Sequence, residues 1–158
     1  MSMSRIEESA TVEGRLVDIA VIVARLSRLA SGFGGDGLPR AMVRALSVLD
    51  EHGPMRVGDF ARIDGCSQPT ATTLIGRLVA AGLVARATVP GDSRAVVVEP
   101  TAAGRARLAA SRRAIGTALA ARSPGFDHER LARLSDELRA LHAALVSTAA
   151  TEFEEQER

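Results

Sequence analysis

The chain has 158 residues, of which 46% are hydrophobic and 25% charged. These values suit about one folded domain and exclude a chain that is disordered throughout. All 20 basic residues are arginine and the formal net charge is +1, so the overall charge does not by itself indicate a nucleic-acid partner. A single cysteine excludes an internal disulfide, and the apolar run at residues 19–24 is too short to span a membrane. With no signal peptide or lipidation motif at its start, the sequence predicts a soluble cytoplasmic protein without membrane contact.

Long helices are predicted near both ends of the chain. Between residues 8 and 30, apolar side chains recur every three or four residues, which places them on one stripe of a helix. The members of this stripe are Val12, Leu16, Ile19, Val23, Leu26 and Ala30. A second stripe follows an N-cap expected at Asp127 and consists of Leu131, Leu134, Leu138, Leu141 and Leu145. Each stripe requires a partner helix to cover it.

The glycine-rich segment GFGGDG, residues 32–37, formally matches the G-x-G-x-x-G pattern of dinucleotide-binding loops. That pattern binds a pyrophosphate only between a strand and a helix N-terminus, and here a helix precedes it. We therefore interpret the segment as a connection between helices.

The middle of the chain predicts a helix-turn-helix. Pro39 fits the first turn of a helix that ends near His52, and a short helix follows at residues 57–64. After the turn, Ser67 is a good N-cap and Gly82 a good terminator for a second helix. On this helix Ala71, Leu74, Ile75 and Leu78 share one face, and the opposite face carries Pro69, Thr72, Thr73, Gly76 and Arg77.

The face of this helix that lacks bulky side chains suits close approach to a DNA major groove. There Gln68, Thr70, Thr72 or Thr73 would contact base edges, while Arg77 would contact a base or a phosphate. The alternative is an ordinary solvated face.

A β-hairpin is predicted after the second helix. The turn residues 90–92 precede a strand at residues 95–98, so we expect Arg94 at the hairpin tip, held by Asp92. A hairpin beside a helix-turn-helix is a wing, and its arginine suits the narrow minor groove of A·T-rich DNA. The alternative is a surface ion pair of little energetic value. Thr101 then caps another helix, at residues 102–121.

These segments together resemble the MarR family of winged-helix transcriptional regulators. The similar pieces are LVAAGLVAR between helix and wing, GDSRA at the wing tip, and PTAAGRARL at the start of the next helix. Two positions depart from the family pattern: Thr73 stands where many members have arginine, and Pro100 replaces the usual leucine. The expected fold is mainly α with a small β-wing, a winged helix-turn-helix with N- and C-terminal dimerisation helices.

The resemblance implies a homodimer that binds a pseudo-palindromic double-stranded DNA operator, most simply as a repressor released by a small-molecule effector. We expect the DNA-binding lobe at residues 38–100, helical dimerisation regions at 1–37 and 101–150, and a disordered acidic tail at 151–158. The residues expected at the DNA are Ser67, Gln68, Pro69, Thr70, Thr72, Thr73, Arg77, Asp92 and Arg94.

The effector is expected in a crevice between the first, second and fifth helices. Its predicted lining is aliphatic with arginine nearby, which suits an apolar phenol or carboxylate. The expected ligand-binding residues are Ile22, Arg25, Leu26, Met42 and Leu46, with Arg28 or Arg44 as further partners for an anionic group.

Other chemistry has little support in the sequence. The three histidines, His52, His128 and His142, are far apart and lack ligand-spaced partners, so we expect neither a metal nor another cofactor. No nucleophile motif or phosphate-binding lysine indicates an enzyme. Cys66 lies at a turn position that favours packing over redox chemistry. The alternatives to a DNA-binding regulator are a winged-helix protein-interaction module and, with less support, a small-molecule-binding enzyme.

Overall fold

The structure is a computed structural model that describes residues 11–33, 37–89 and 92–156. Its helices are α1 (Val12–Ala30), α2 (Arg40–His52), α3 (Val57–Asp64), α4 (Gln68–Ala80), α5 (Ala102–Ala120) and α6 (His128–Gln156). The antiparallel strands β1 (Val84–Val89) and β2 (Asp92–Pro100) lie between α4 and α5. This confirms the predicted mainly helical fold with a small β-wing. The chain divides into two compact units, Met1–Leu119 and Ala120–Arg158.

Side-chain caps fix the starts of four helices. Thr11 caps α1, Ser67 caps α4, Thr101 caps α5 and Asp127 caps α6, each by accepting a hydrogen bond from a backbone N–H three residues later. The predicted caps at the last three positions are confirmed. Pro39, in contrast, precedes α2 as its N-cap with an extended ψ of 139° and does not lie in the first turn. The expected start of the first helix at residue 8 lies outside the described residues.

The core of the first unit is built from one face of each helix of the lobe. Met42, Ala45, Leu46 and Leu49 of α2 pack with Phe60 and Ala61 of α3 and with Ala71, Leu74, Ile75 and Leu78 of α4. Val84, Val98 and Leu108 close this core from the sheet and from α5. All four residues predicted for the inner face of α4 are buried, because their spacing matches the helical period.

The base of the wing is held on both sides. Along one edge β2 pairs with β1, and on its other edge Val98 forms a bridge with Met55, which precedes α3. The Val98 N–H donates to the Met55 carbonyl at 2.8 Å, and the Met55 N–H donates to the Val98 carbonyl at 3.2 Å. The wing is therefore fastened to the start of the helix-turn-helix.

Toward its tip the wing has an irregular register. Thr88 pairs with Val96 but Val89 pairs with Asp92, so residues 93–95 have no partner in β1. The register therefore shifts between Thr88 and Val89, with three extra residues in β2. The strand therefore begins at Asp92 and includes Arg94, which corrects the expectation that Arg94 lies in the turn before a strand at 95–98. The turn at residues 90–91 lies outside the described residues.

The connection between α4 and the wing requires two glycines. Gly82 has a φ of +70°, and with the Leu83 N–H donating to the Leu78 carbonyl it ends α4 in a Schellman motif. The hydroxyl of Thr101 donates to the Gly82 carbonyl at 2.7 Å. At Gly104 an added Cβ would lie 2.0 Å from the Leu83 carbonyl oxygen. The start of α5 therefore touches the backbone at the root of the wing.

The long helices α1 and α6 expose many apolar side chains. None of the residues in α1 is buried, and Val12, Val17, Ile22 and Leu29 are each more than half exposed. In α6, Leu131, Leu134, Leu145 and Val146 are exposed. This helix continues to Gln156, so residues 151–156, expected as part of a disordered tail, are helical. None of the described helices is long and apolar enough to cross a membrane.

Candidate nucleic-acid interface

Local backbone geometry fixes the direction of α4 relative to α3. Gly65 ends α3 in the left-handed conformation with a φ of +68°, which glycine adopts without a Cβ penalty. The Cys66 N–H donates to the Ala61 carbonyl at 3.0 Å, and Ser67 then caps α4. The turn between α3 and α4 therefore consists of residues 65–67 only.

The outer face of α4 carries the residues that the sequence predicted for DNA contact. Gln68, Pro69, Thr70, Thr72, Thr73 and Arg77 are exposed, as is Ser67 just before the helix. No acidic residue occurs in α4, and Gly76 in the middle of this face has no side chain. The structure thus brings these residues to one surface that can approach a polyanion closely.

Two threonine hydroxyl groups on this face are hydrogen-bonded to backbone carbonyls of the same helix. The Thr72 hydroxyl donates to the Gln68 carbonyl at 2.9 Å, and the Thr73 hydroxyl donates to the Pro69 carbonyl at 3.0 Å. The hydroxyls of Ser67 and Thr70 lie 2.8 Å apart, within hydrogen-bonding distance. These bonds fix the orientation of the side chains before any ligand arrives.

A groove of about 720 Å³ lies between the wing and the starts of α3 and α4. Its lining includes Arg56, Gln68 and Arg86, with Asp59 also present. Asp59 is paired with Arg62 at 2.8 Å. Arg56 and Arg86 were not predicted as site residues, because only the pairing of Met55 with β2 brings these distant positions together.

The turn of the helix-turn-helix is supported by a buried carboxylate. The guanidinium of Arg44 on α2 donates to Oδ2 of Asp64 at 2.8 Å, and the Asp64 side chain is only 1% exposed. Burial raises the pKa of the Cys66 thiol, and Asp64 raises it further through a hydrogen bond and its charge, against a smaller opposite effect of Arg44. Cys66 is half-buried against the core, as its packing interpretation predicted.

The wing residues expected at the DNA are located only by their backbone. Asp92 and Arg94 belong to β2, but their side chains lie outside the described part of the structure. The predicted contact between Asp92 and Arg94 therefore stays a prediction.

A cavity of about 420 Å³ lies between α1, α2 and α5. Its position is the crevice expected for an effector, but its lining differs from the prediction. Ser27, Ala30, Ser31, Leu38, Arg40, Ala41, Val43, Arg44, Ser111 and Ile115 surround it. Met42 and Leu46, expected there, belong to the buried core. Ile22, Arg25 and Leu26 are exposed and do not line this cavity.

Metal binding finds no support in the described part of the chain. Within residues 11–33, 37–89 and 92–156, no group of three or more His, Cys, Asp or Glu side chains is placed to hold a metal ion.

Comparison with known sequences gives a family match over the lobe. Residues 36–95 match the model of the MarR family. A 72-residue segment is 36% identical to YcgE of Bacillus subtilis (strain 168), described as an uncharacterised HTH-type transcriptional regulator. That segment is 46% of this chain and 47% of YcgE, so the chain spans about half the length of the curated relative it matches.

Solved structures match the fold over most of the chain. A MarR family protein from Bacillus stearothermophilus superposes with a TM-score of 0.69 over 92% of this chain and 99% of its own, at 22% identity. Wild-type apo MarR from E. coli has a TM-score of 0.64 over 81% of this chain and 95% of its own, also at 22% identity. The fold is thus similar well beyond the segment matched by the family model.

Proposed function

We propose that the chain is a sequence-specific regulator of transcription that binds double-stranded DNA, since residues 36–95 match the model of the MarR family. MarR family regulators bind DNA and act as dimers. The observation that carries the proposal is the outer face of α4, which is exposed, free of acidic residues and lined by small polar groups. A helix with such a face can enter a major groove.

The groove beside α4 supports the same proposal. Arg56 and Arg86 line this groove together with Gln68, and arginine forms charge-assisted hydrogen bonds with phosphate oxygens. Arg86 makes no ion pair with the described residues. In the proposed complex, α4 contacts base edges, while these arginines contact the phosphates between α4 and the wing, and Arg94 enters the minor groove.

Salt-dependent DNA binding tests this function. Selection from a random duplex library should yield a pseudo-palindrome, and the logarithm of its binding constant should fall linearly with the logarithm of the salt concentration. Arg86→Ala should reduce the slope of that dependence by about two, because each protomer of the dimer loses one phosphate contact. Absence of sequence-preferring binding would favour the alternative, a winged-helix module that binds a protein partner.

The exposed apolar surfaces of α1 and α6 support a homodimer. Such surfaces on long helices are unfavourable in water unless another helix covers them. We place the dimer contacts on both terminal helices, so that each protomer contributes one lobe, residues 38–100, to the dimer. A symmetric dimer requires two half-sites about one helical turn apart, roughly 10 base pairs between centres.

The cavity between α1, α2 and α5 is the proposed effector site, and release from DNA by the effector makes the protein a repressor. Its lining combines aliphatic residues such as Leu38, Val43 and Ile115 with Arg40 and Arg44, which suits an aromatic or aliphatic carboxylate or phenol. A ligand in this cavity contacts helices from both the dimer base and the lobe. It can therefore change the separation of the two α4 helices.

Calorimetric titration with benzoate, in the presence and absence of operator DNA, tests the effector site. A releasing ligand must bind more weakly to the DNA complex, by the same factor by which it weakens DNA binding. Arg40→Ala should weaken benzoate binding without affecting the affinity for DNA of the free protein. Benzoate binding that is indifferent to operator would remove the repressor–effector part of the proposal and leave a DNA-binding dimer.

A further inference from the structure

While they are hydrogen-bonded to the backbone of α4, the hydroxyl groups of Thr72 and Thr73 act only as acceptors toward a ligand. A threonine hydroxyl has one hydrogen to donate and two lone pairs. A carbonyl oxygen cannot donate, so the bonds to the Gln68 and Pro69 carbonyls use the hydroxyl hydrogen of each threonine. Each side chain therefore offers its surroundings one acceptor oxygen and one methyl group.

Both threonines occupy the part of α4 that would lie deepest in a groove. Residues 69 and 76 are seven positions apart and share one line along the helix, with Thr72 and Thr73 on its two sides. Pro69 and Gly76 add little bulk along this line. The two threonines are exposed and lie in the N-terminal half of the helix, which is the half of a recognition helix that contacts base edges.

An acceptor beside a methyl group is complementary to an A·T pair. In the major groove adenine presents its N6 amino donor, and thymine presents its C5 methyl group. A G·C pair presents acceptors on guanine and one donor, the cytosine N4 amino group, but it has no methyl group, so it can satisfy the threonine oxygen and not the threonine methyl group. On the basis of the proposed DNA binding, we infer that Thr72 and Thr73 specify A·T pairs in each half-site through the adenine amino and thymine methyl groups.

This specificity differs from that of an arginine at the same place. A guanidinium is a pure donor and selects guanine by bonding N7 and O6, whereas the oriented threonine is a pure acceptor with an apolar group. A threonine at position 73 therefore favours an A·T pair, whereas an arginine there would favour guanine.

Base analogues in the selected operator separate the two contacts. Uracil in place of thymine removes only the C5 methyl group, and purine in place of adenine removes only the amino group. Thr→Ser at position 72 or 73 removes only the side-chain methyl group, and Thr→Val replaces the hydroxyl with a second methyl group. At the A·T pairs facing α4, each analogue should weaken binding of the parent protein about four- to five-fold, the value of one buried methyl group or one hydrogen bond.

Coupling between protein and DNA changes is the expected result. The uracil effect should disappear in T72S or T73S at the pair that each residue contacts, and the purine effect should disappear in T72V or T73V. Thr117→Ser and Thr117→Val make the same changes at an exposed threonine of α5 and should leave both analogue effects intact.

Two results would overturn the inference while leaving the proposed function in place. One is an operator with G·C pairs at the positions where Thr72 and Thr73 variants alter selection. The other is analogue effects that persist undiminished in every threonine variant. Failure to select any operator would overturn the proposed function itself, and this inference with it.

Discussion

The ion pair between Arg44 and Asp64 has ends of very different exposure, 59% for the arginine side chain and 1% for the carboxylate. Arg44→Ala leaves a buried carboxylate without its cation, and it should lower the free energy of unfolding by about 1–3 kcal/mol. Arg112→Ala is the matched control, because its partner Asp50 is 30% exposed and water can replace the arginine. Urea unfolding measures the loss of unfolding free energy in both variants. Equal losses in the two variants would show that the burial of Asp64 has no energetic effect.

Cys66 should react as an unactivated thiol. Its thiolate is disfavoured by burial and by the Asp64 carboxylate, so its pKa lies above the ordinary value of 9.0. The rate of alkylation by iodoacetamide should therefore reach half its maximum above pH 9.0, and stability should fall as the pH rises through that raised pKa. In Asp64→Asn the midpoint should move to lower pH. A parent midpoint below the ordinary value would reverse the packing interpretation in favour of a reactive cysteine.

At the scale of single residues, the sequence predicts site residues that share one face of a helix. It does not predict site residues that contacts between distant segments bring together. The outer residues of α4 follow from their spacing along one helix. Arg56 and Arg86 could not be found in this way, because the sheet brings them together. Met42 and Leu46 were chosen for the effector cavity as apolar residues of α2, but the apolar face of that helix fills the core and a neighbouring face lines the cavity.

The wing is the element whose function depends most on its tip. Arg94→Ala should weaken operator binding by about 1–3 kcal/mol through loss of a minor-groove contact. Asp92→Ala should have a smaller effect of the same sign, since Asp92 is expected to hold the arginine. Neither change should alter thermal unfolding, because the base of the wing is held by β1 and Met55. Fluorescence anisotropy with labelled operator measures the DNA affinity of both variants. Binding like that of the parent by both variants would exclude the wing contact.

Elements with strong local signals were predicted closely, and irregular ones were not. The bounds of α3 and the caps of α4, α5 and α6 follow from residues at fixed offsets. The register shift at residues 93–95 depends on how β1 and β2 align, which no spacing within β2 reveals. The helical state of residues 151–156 likewise continues from the preceding turns of α6, although their composition alone indicated a solvated tail.

For the whole molecule, the dimer is the central prediction. Exposed apolar residues occur on several sides of α1, and such a helix needs neighbours to cover them. Sedimentation at micromolar concentration should show a dimer. Leu26→Glu, which places a charge on the apolar stripe, should raise the dissociation constant at least ten-fold, or by about 1.4 kcal/mol. Arg25→Gln, off the stripe, is the control; a parent protein that sediments as a monomer would exclude the dimer.

The close contact between Gly104 and the backbone at the root of the wing limits which substitutions at position 104 allow the protein to fold. A Cβ at this position would meet the Leu83 carbonyl oxygen at 2.0 Å, whereas nothing lies within 4 Å of a Cβ at Gly116 in the same helix. In a library with both codons randomised and selected for folded protein, position 104 should return glycine alone. Position 116 should tolerate many residues, and Gly116→Ala should stabilise the helix by about 0.5–1 kcal/mol. Recovery of alanine at position 104 at a frequency equal to that at 116 would mean that α5 can withdraw from the wing without loss of folding.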